Sequence, residues 1–162
     1  MTEIQNKILR GTFGRLWVND RLMAHLKSFE CKVTGSYETV DVNGELCEQQ
    51  RFVGYGISGT MVLHKVDSGV ARLVAEGYQS GVMPTIKFVA RLDDPSISGS
   101  ERVEIYNVTF DEFMMIQFEN KAIGEESVPF KAGGFKYLDT ISEILKSANL
   151  KRRPLNADVF IL

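Results

Sequence analysis

The chain has 162 residues, of which 44% are hydrophobic and 25% are charged, an ordinary globular composition, and its net charge of −2 offers no general attraction to nucleic acid. No run approaches the ~18 apolar residues of a membrane helix, and residues 1–7 lack the apolar core of a secretory signal, so synthesis in a cytoplasm is expected. The two cysteines, Cys31 and Cys47, do not make a disulfide framework and are expected to be free thiols.

The first third of the chain predicts antiparallel strands joined by turns. Residues 13–18 are typical of a strand, Asn19-Asp20 supplies turn chemistry, and a run over residues 22–33 completes a hairpin. β character continues over residues 37–42 as far as Asn43-Gly44, a pair that usually joins two strands directly. We therefore expect residues 41–51 to form an extended hairpin arm with few side chains that could anchor it to a core. Its acidic residues, with the one just before it, are Glu38, Asp41, Glu45 and Glu48.

A long strand is predicted to start near Arg51, and the rest of the fold is expected to form around it. Alternate residues make one apolar face, comprising Val53, Tyr55, Ile57, Met61 and Leu63. The opposite face is small or polar and comprises Gly54, Gly56, Ser58, Thr60 and His64. A period of two is typical of a strand with one buried face and one face that is wet or closely approached.

After Val66 the period changes to that of a helix. Apolar positions recur at helical spacing, at Val70, Leu73, Val74, Gly77 and Tyr78. Asp67 or Ser68 can cap the start of this helix, and Gly81 can end it. Because so short a helix is marginal alone, we expect it to lie on a sheet.

The second half predicts further strands and a second helix. Residues 86–92 alternate as a half-buried strand, residues 93–100 form a loop, and β runs follow at 103–110, 113–119 and 123–130. Residues 132–134 break the pattern, and Thr140-Ile-Ser-Glu143 fits a capping box. The sequence thus predicts one domain over residues 1–162 with a mainly β fold. This is a β-barrel or sandwich with one flanking α-helix and a short C-terminal helix.

One motif matches the residue pattern of a nucleotide-binding fingerprint but not its structural context. Gly54-x-Gly56-x-x-Gly59 should follow a strand and open a helix, but here it leads into a β-like run. The glycines are better interpreted as positions where another backbone or subunit comes close, or where the strand bends.

Catalytic and metal-binding patterns are lacking in the sequence. His25 and His64 have no paired cysteine or histidine at metal-ligand spacing. Neighbouring carboxylates generally point apart in a strand or loop, so Asp93-Asp94 and Glu125-Glu126 do not predict a catalytic dyad. We expect no enzymatic activity, no cofactor and no metal.

Several segments together resemble the tail tube (core) proteins of contractile phage tails, in the family represented in the phage-like element PBSX. The matching segments are Gly14-Arg-Leu-Trp-Val, Met23-Ala-His-Leu-Lys-Ser-Phe-Glu30, Gly54-x-Gly56-x-x-Gly59-Thr, His64-Lys65-Val66, Glu101-Arg-Val-Glu-Ile-Tyr-Asn-Val-Thr-Phe110 and Glu125-Glu-x-Val-Pro-Phe130. Their order and spacing are kept over about residues 8–138, while residues 149–162 form a C-terminal extension. No single motif is specific, but the series is.

The resemblance implies a tail-tube-like fold and a structural protein without a reaction. Such a protein is a protomer of the inner tube of a contractile phage tail or of a phage-tail-like bacteriocin, assembling as stacked hexameric rings. The channel serves DNA passage in a virion, and the tube perforates an envelope in a bacteriocin. The implied partners are other copies of the chain, the tail sheath protein, and baseplate and tape-measure proteins. DNA passes only transiently, no stable membrane association is implied, and the particle is assembled in the bacterial cytoplasm.

Two assembly surfaces are predicted. A head-to-tail contact between rings needs two complementary surfaces, and the acidic arm and the basic tail would suit them. The predicted interface residues are Asp41, Asn43, Gly44, Glu45, Glu48, Arg51, Lys151, Arg152 and Arg153.

A lumen is predicted at the polar face of the central strand, because small uncharged side chains do not hold phosphates. Those residues are Gly54, Gly56, Ser58, Thr60 and His64, and the same face could instead bury against a neighbouring subunit.

Three alternatives stay open at the level of sequence. The tube of a type VI secretion system or of a non-contractile tail is a related assembly. A monomeric β-sandwich that binds sugar or peptide belongs to a different class. Clustered aromatics would favour it, but Trp17, Tyr37, Tyr55 and Tyr106 fall in separate runs. A small enzyme is a third possibility, for which no residues can be named.

Overall fold

The computed structural model describes residues 2–141, with side chains from residue 4. The helical elements are α1 (Thr2–Gln5), a 3-10 turn (Gly11–Phe13) and α2 (Gly69–Ser80). The strands are β1 (Gly14–Val18), β2 (Arg21–Leu22), β3 (Leu26–Val40), β4 (Gln49–His64), β5 (Phe88–Leu92), β6 (Glu101–Tyr106), β7 (Thr109–Phe110), β8 (Glu125–Ala132) and β9 (Gly134–Asp139). The predicted C-terminal helix, apart from its first two residues Thr140 and Ile141, lies outside the described residues. The extension at residues 149–162, with the cations Lys151, Arg152 and Arg153, lies outside them as well.

The strands form two antiparallel sheets. The five-stranded sheet has the order β2-β1-β5-β6-β9, and the four-stranded sheet has the order β3-β4-β8-β7. The sheets do not close into a barrel, so each keeps two edge strands. The predicted mainly β class with one flanking helix is confirmed, and of the two architectures expected the chain adopts an open two-sheet arrangement.

Residues from both sheets and from α2 form one buried core. Its centre is aromatic: the rings of Phe88 and Phe130 meet edge to face with centroids 5.0 Å apart, and Phe29 stacks on Phe130 at 5.8 Å. Ile57, Met61 and Leu63 of β4 are buried, as their alternation predicts.

Helix α2 forms where its periodicity predicts. Asp67 accepts the amide hydrogen of Gly69 on Oδ1 at 3.0 Å, while Ser68 occupies the cap position without a side-chain bond. Gly81 ends the helix in the left-handed conformation, with φ of 74°, a geometry that glycine adopts without strain. Val70, Val74 and Gly77 are buried, so most of the predicted stripe faces the core, whereas Tyr78 at its end is 48% exposed.

Two predictions about strands are wrong, and one strand was not predicted. Residues 113–119 form no strand: β7 ends at Phe110 after pairing with Phe130 and Lys131, and the chain leaves the sheet before an alternating run can find a partner. Residues 134–139, for which no element was predicted, form edge strand β9. Val53 and Tyr55 were expected in the core but are 54% and 55% exposed, because both lie beyond Ile57, the last buried residue toward the start of β4.

Candidate assembly surfaces

The most prominent feature of the chain is a hairpin that projects from the sandwich. β3 and β4 pair with each other along their whole length. The pairing begins with Leu26 opposite Leu63 and ends with Val40 opposite Gln49. Ile57, opposite Val33, is the last buried residue of β4 toward the tip. The seven steps from Val33 to Val40 span about 23 Å at ~3.3 Å per residue. We call residues 34–56 the projecting hairpin and residues 41–48, which join its strands, the tip.

An aromatic stripe covers the core-side face of the projecting hairpin. Tyr37 lies opposite Phe52, their rings meet edge to face at 5.6 Å, and the two are 59% and 53% exposed. Tyr55 continues the stripe toward the core and meets Phe135 of β9 at 6.1 Å. A register shift leaves Val53 as an extra residue on β4, which turns Phe52 to the same face as Tyr37.

The tip carries most of the predicted interface residues. Asp41, Asn43, Gly44, Glu45 and Glu48 lie in it and are all exposed, and Arg51 lies opposite Glu38 on the adjoining strands. Gly44 has φ of 88°, which explains the glycine of the Asn-Gly pair. Sequence reasoning missed the apolar side chains of the tip region. Leu46 is fully exposed, and Val40 and Val42 are 41% and 46% exposed.

The residues predicted to face a lumen share the outer face of β4. Ser58 and Thr60 are half-buried between β3 and β8, Gly54 is half-buried, and Gly56 and His64 are exposed. Charged neighbours stand beside them on the same face: Lys32 and Lys131 lie opposite Ser58, and Glu30 lies opposite Thr60. The cross-strand charges were not predictable, because strand pairing cannot be read from the run of β4 alone.

The three glycines of the Gly54-x-Gly56-x-x-Gly59 motif have different surroundings. A Cβ on Gly59 would meet the carbonyl oxygen of Glu30 and would lie 2.6 Å from Cζ of Phe130. Close approach of another strand therefore explains Gly59. Nothing lies within 4 Å of a Cβ placed on Gly54 or Gly56.

A cleft of about 760 Å³ opens between the base of β3 and the five-stranded sheet. Its walls are apolar, with Leu26, Phe29, Ala90, Leu92 and Val103. Arg15, Lys27, Arg91 and Glu101 also border it, but Arg15 and Arg91 alternate with the inward-facing Leu16 and Ala90 and so lie on the outer face of the sheet. It lies at the opposite end of β3 from the tip.

The adjacent carboxylates Asp93 and Asp94 are held by different cations. Asp94 is fully buried and accepts two hydrogen bonds from the Arg10 guanidinium, at 2.8 and 3.0 Å. Asp93 is exposed and pairs with Arg91 at 2.6 Å. These are structural ion pairs rather than a catalytic dyad.

Metal-binding and membrane-spanning features are absent from the described part of the chain. Within residues 2–141, no three His, Cys, Asp or Glu side chains are grouped to hold a metal ion. No helix in that same range has the length and apolar character needed to cross a bilayer.

Comparison with known proteins identifies the family of the chain. A family model described as "Phage tail tube protein" matches residues 2–139. The chain is similar to the phage-like element PBSX protein XkdM of Bacillus subtilis, with 32% identity over 142 residues covering 86% of this chain and 95% of XkdM. It is also similar to the uncharacterized protein YqbM of the same organism, with 33% identity over 146 residues covering 88% of this chain and 95% of YqbM.

Solved structures share the fold at low sequence identity. The anti-feeding prophage tube-terminating cap matches with a TM-score of 0.66 at 8% identity, over 83% of this chain and 92% of the cap chain. A chain of the PVC sheath-tube complex, an extracellular contractile injection system, matches with a TM-score of 0.64 at 9% identity, over 88% of this chain and 99% of that chain. The resemblance seen in the sequence is thus confirmed: the chain belongs to the phage tail tube protein family, whose members are structural tail proteins.

Proposed function

We propose that the chain is the protomer of the inner tube of a contractile phage tail or phage-like particle, and that it acts by self-assembly rather than by catalysis. Copies form hexameric rings, and the rings stack into a hollow tube. The similarity to XkdM of the phage-like element PBSX and the fold shared with a chain of a sheath-tube complex support this proposal.

The aromatic stripe of the projecting hairpin carries the proposal. Tyr37, Phe52 and Tyr55 are each more than half exposed, although aromatic side chains bury a large apolar area when they find a partner. A monomeric protein gains nothing from holding them ~7–17 Å beyond its last buried strand residue on a paired hairpin. A neighbouring subunit that covers the stripe removes this surface from water.

Edge strands offer the ring a second kind of contact. β3 and β9 each have a strand neighbour on one side only, so the other side presents backbone donors and acceptors. Pairing of such edges between subunits adds main-chain hydrogen bonds and continues a sheet around a ring. Six-fold closure of one repeated contact yields a ring without free edges.

The outer face of β4 is the proposed lumen surface, comprising Gly54, Gly56, Ser58, Thr60 and His64. The tape-measure protein and then DNA pass along it in a virion, and the sheath surrounds the tube on the outside. The baseplate meets one end of the tube, and the whole is assembled in the bacterial cytoplasm. Acidic residues of the tip and cations of the tail, Lys151, Arg152 and Arg153, set the orientation of stacked rings.

Removal of the tip tests the proposal. Deleting residues 43–49 should leave a folded protein, with an unchanged core and helix signal, that no longer forms tubes in negative-stain micrographs. A double variant, Tyr37→Ser with Phe52→Ser, should lose assembly in the same way. A matched control, Val66→Ser with Val82→Ser, changes residues that are 72% and 76% exposed outside the hairpin and should assemble normally. Normal tubes from the deletion and from the stripe variant would show that the hairpin is not an assembly device.

A further inference from the structure

The cleft between the two sheets has an apolar lining that is only half-buried. Leu92 and Val103 lie on the same face of the five-stranded sheet as Ala90, and this face points toward the other sheet. Leu26 and Phe29 of β3 line the opposite wall. All five side chains are half-buried. The volume of about 760 Å³ lies within the range of about 300–1,000 Å³ that is typical of ligand pockets. The cleft is therefore large enough and apolar enough to take several side chains.

The chain passes this cleft just before the described residues end. β9 runs antiparallel to β6, and Asp139 lies opposite Arg102. The neighbours of Arg102 along β6 are Glu101 and Val103, which both line the cleft. Two residues follow Asp139 within the described part of the chain, and two residues span at most about 7 Å. The chain therefore continues from a point beside the cleft.

An exposed aromatic side chain connects that point to the cleft. Tyr137 lies opposite Val103 and so shares the inward face of the sheet. Its side chain is 54% exposed, and its ring meets that of Phe135 at 6.0 Å. The apolar lining of the cleft thus extends across β9 toward the start of residues 142–162.

Residues 142–162 supply a segment of matching character. Single apolar residues occur at Ile144, Leu145, Leu150 and Leu155, and residues 159–162, Val-Phe-Ile-Leu, form a run of four large apolar side chains. Transfer of such side chains from water to an apolar cleft is favourable. The residues between 142 and 159 can span more than about 50 Å when extended, so distance does not limit where the run binds.

We propose that residues 159–162 dock in the cleft of their own copy and cover the adjacent edge of β3. Tethering favours this occupant, because a linked group acts at a high effective concentration. β3 has a strand neighbour on one side only, so a segment docked beside Leu26 and Phe29 covers part of an edge that the proposed ring uses. In this respect the inference rests on the proposed function and adds a control on assembly.

The docked segment holds the free subunit back from assembly. A subunit with a covered edge is not competent to pair, so the apparent affinity between subunits is reduced by the fraction of subunits that are open. Assembly then requires that the segment leave the cleft. The cleft acts as a switch between a closed free subunit and an open subunit in the tube.

A disulfide within one copy tests the docking on free subunits. Cys31→Ser with Cys47→Ser removes the native thiols. In that background, Thr12→Cys places a thiol in the cleft lining and Asp158→Cys places a second thiol next to the apolar run. The control replaces Thr12→Cys with Thr85→Cys, at the opposite end of the β1–β5 pair. Dilute subunits are oxidised with diamide, which takes up two electrons and two protons as two thiols form one S–S bond.

The docked arrangement predicts a monomer of increased mobility on non-reducing gels from the Thr12→Cys variant, and much less of it from the Thr85→Cys control. Equal yields from the two, or no internal disulfide at Thr12→Cys, would overturn the docking. Covalent dimers in its place would also overturn it, because they would assign the segment to the cleft of another copy.

The cross-link does not depend on tube formation, so the two proposals fail separately. Subunits that form the internal disulfide, while the unaltered protein never forms rings or tubes, would refute the proposed function and leave the docking intact. Tubes from the unaltered protein, without the internal disulfide in free subunits, would refute the docking and leave the tube assignment intact.

Polar substitutions in the run measure the control on assembly. Phe160→Ser with Ile161→Ser keeps the length of the chain and should lower the subunit concentration needed for tubes by about 3- to 10-fold, the change expected if about 70–90% of free subunits are closed. Ala148→Ser with Ala157→Ser is the matched control in the same segment and should leave that concentration unchanged. No decrease from the first pair, or an equal decrease from the control, would refute the control on assembly.

Discussion

Asp94 shows how one buried carboxylate can organise a terminus and a loop. It accepts hydrogen bonds from the backbone and side chain of Arg10 and from the amide and hydroxyl of Ser96. The Arg10 guanidinium, together with the Ser96 amide, holds the pKa of Asp94 well below its usual range. The ionised form is therefore favoured by the folded chain, and it ties the segment before β1 to the loop after β5.

Asp94→Asn should destabilise the protein in a pH-dependent way. Because the folded-state pKa is lowered, the contribution of Asp94 is present above the unfolded-state pKa of about 3.9 and is lost as pH falls below it. Thermal unfolding should thus show a large gap between wild type and variant near pH 7 that narrows progressively below pH ~4. Asp93→Asn, at the exposed neighbour, is the control and should change the midpoint little. A gap that does not vary with pH would contradict an ionised Asp94.

Gly59 should tolerate no side chain. The added methyl of Gly59→Ala would press on the Glu30 carbonyl and on the Phe130 ring, neither of which is free to move far in the sheet. We expect a loss of about 1–3 kcal/mol in the free energy of unfolding, the usual cost of overpacking. Gly56→Ala, three residues away with open space around it, should leave urea unfolding of the monomer almost unchanged. Equal losses of unfolding free energy in Gly59→Ala and Gly56→Ala would mean that strand propensity, and not crowding, determines the cost of the added methyl group.

At the scale of elements, local patterns succeeded where the element depends on its own residues. Helix α2 and strand β5 each place one apolar face on the core. The spacing of their apolar residues was therefore sufficient to predict both elements. The central strand shows the limit of the method. Its alternation indicates which side faces inward, yet Ile57 is the last buried residue toward its start, and Tyr55 on the same side is exposed. How far a core extends depends on residues distant in sequence.

The loop after β7 shows that an alternating pattern alone does not make a strand. Met115, Ile116 and Phe118 predict a strand, but no partner edge receives them, and they are 82%, 78% and 87% exposed. Phe113 alone is anchored, stacked on Tyr78 at 5.7 Å. The acidic tip was recognised in the sequence, whereas the cleft combines residues from β1, β3, β5 and β6 and has no local signal.

Lysines on the outer face of β4 should distinguish a channel wall from a subunit contact. If this face lines the lumen, Ser58→Lys and Thr60→Lys should permit assembly but impede DNA ejection from a virion, because added cations hold phosphates. Lys32 and Lys131 already flank Ser58, so the new charge would join a cationic cluster. Thr85→Lys, away from this face, is the control. Loss of rings with the β4 variants would place the face between subunits instead.

At the scale of the whole molecule, charge should govern how rings meet. Each exposed ion pair is worth only ~0–1 kcal/mol, but a ring repeats every pair, so the sum can direct stacking. Tube growth should slow as salt rises to about 0.5 M, where the screening length falls to a few Å. Light scattering of purified subunits measures the rate. Growth that ignores salt would leave apolar contacts and strand pairing as the whole explanation.

Reversal of Lys151, Arg152 and Arg153 to Glu locates the cationic partner of the tip. If these residues receive the tip, the triple variant should form single rings that do not stack in negative-stain images. Normal stacking of the triple variant would mean that the acidic tip meets another partner.

The continuous pairing of β3 with β4 also bears on how related chains can diverge. Two residues added to each strand would lengthen the hairpin by about 6.6 Å, and every later pair would keep its face. A single added residue can be absorbed as a bulge, as Val53 is. Neither change would touch the core at Met61 and Leu63. The length of the projecting hairpin can thus change by insertion or deletion while the two-sheet sandwich that carries it stays the same.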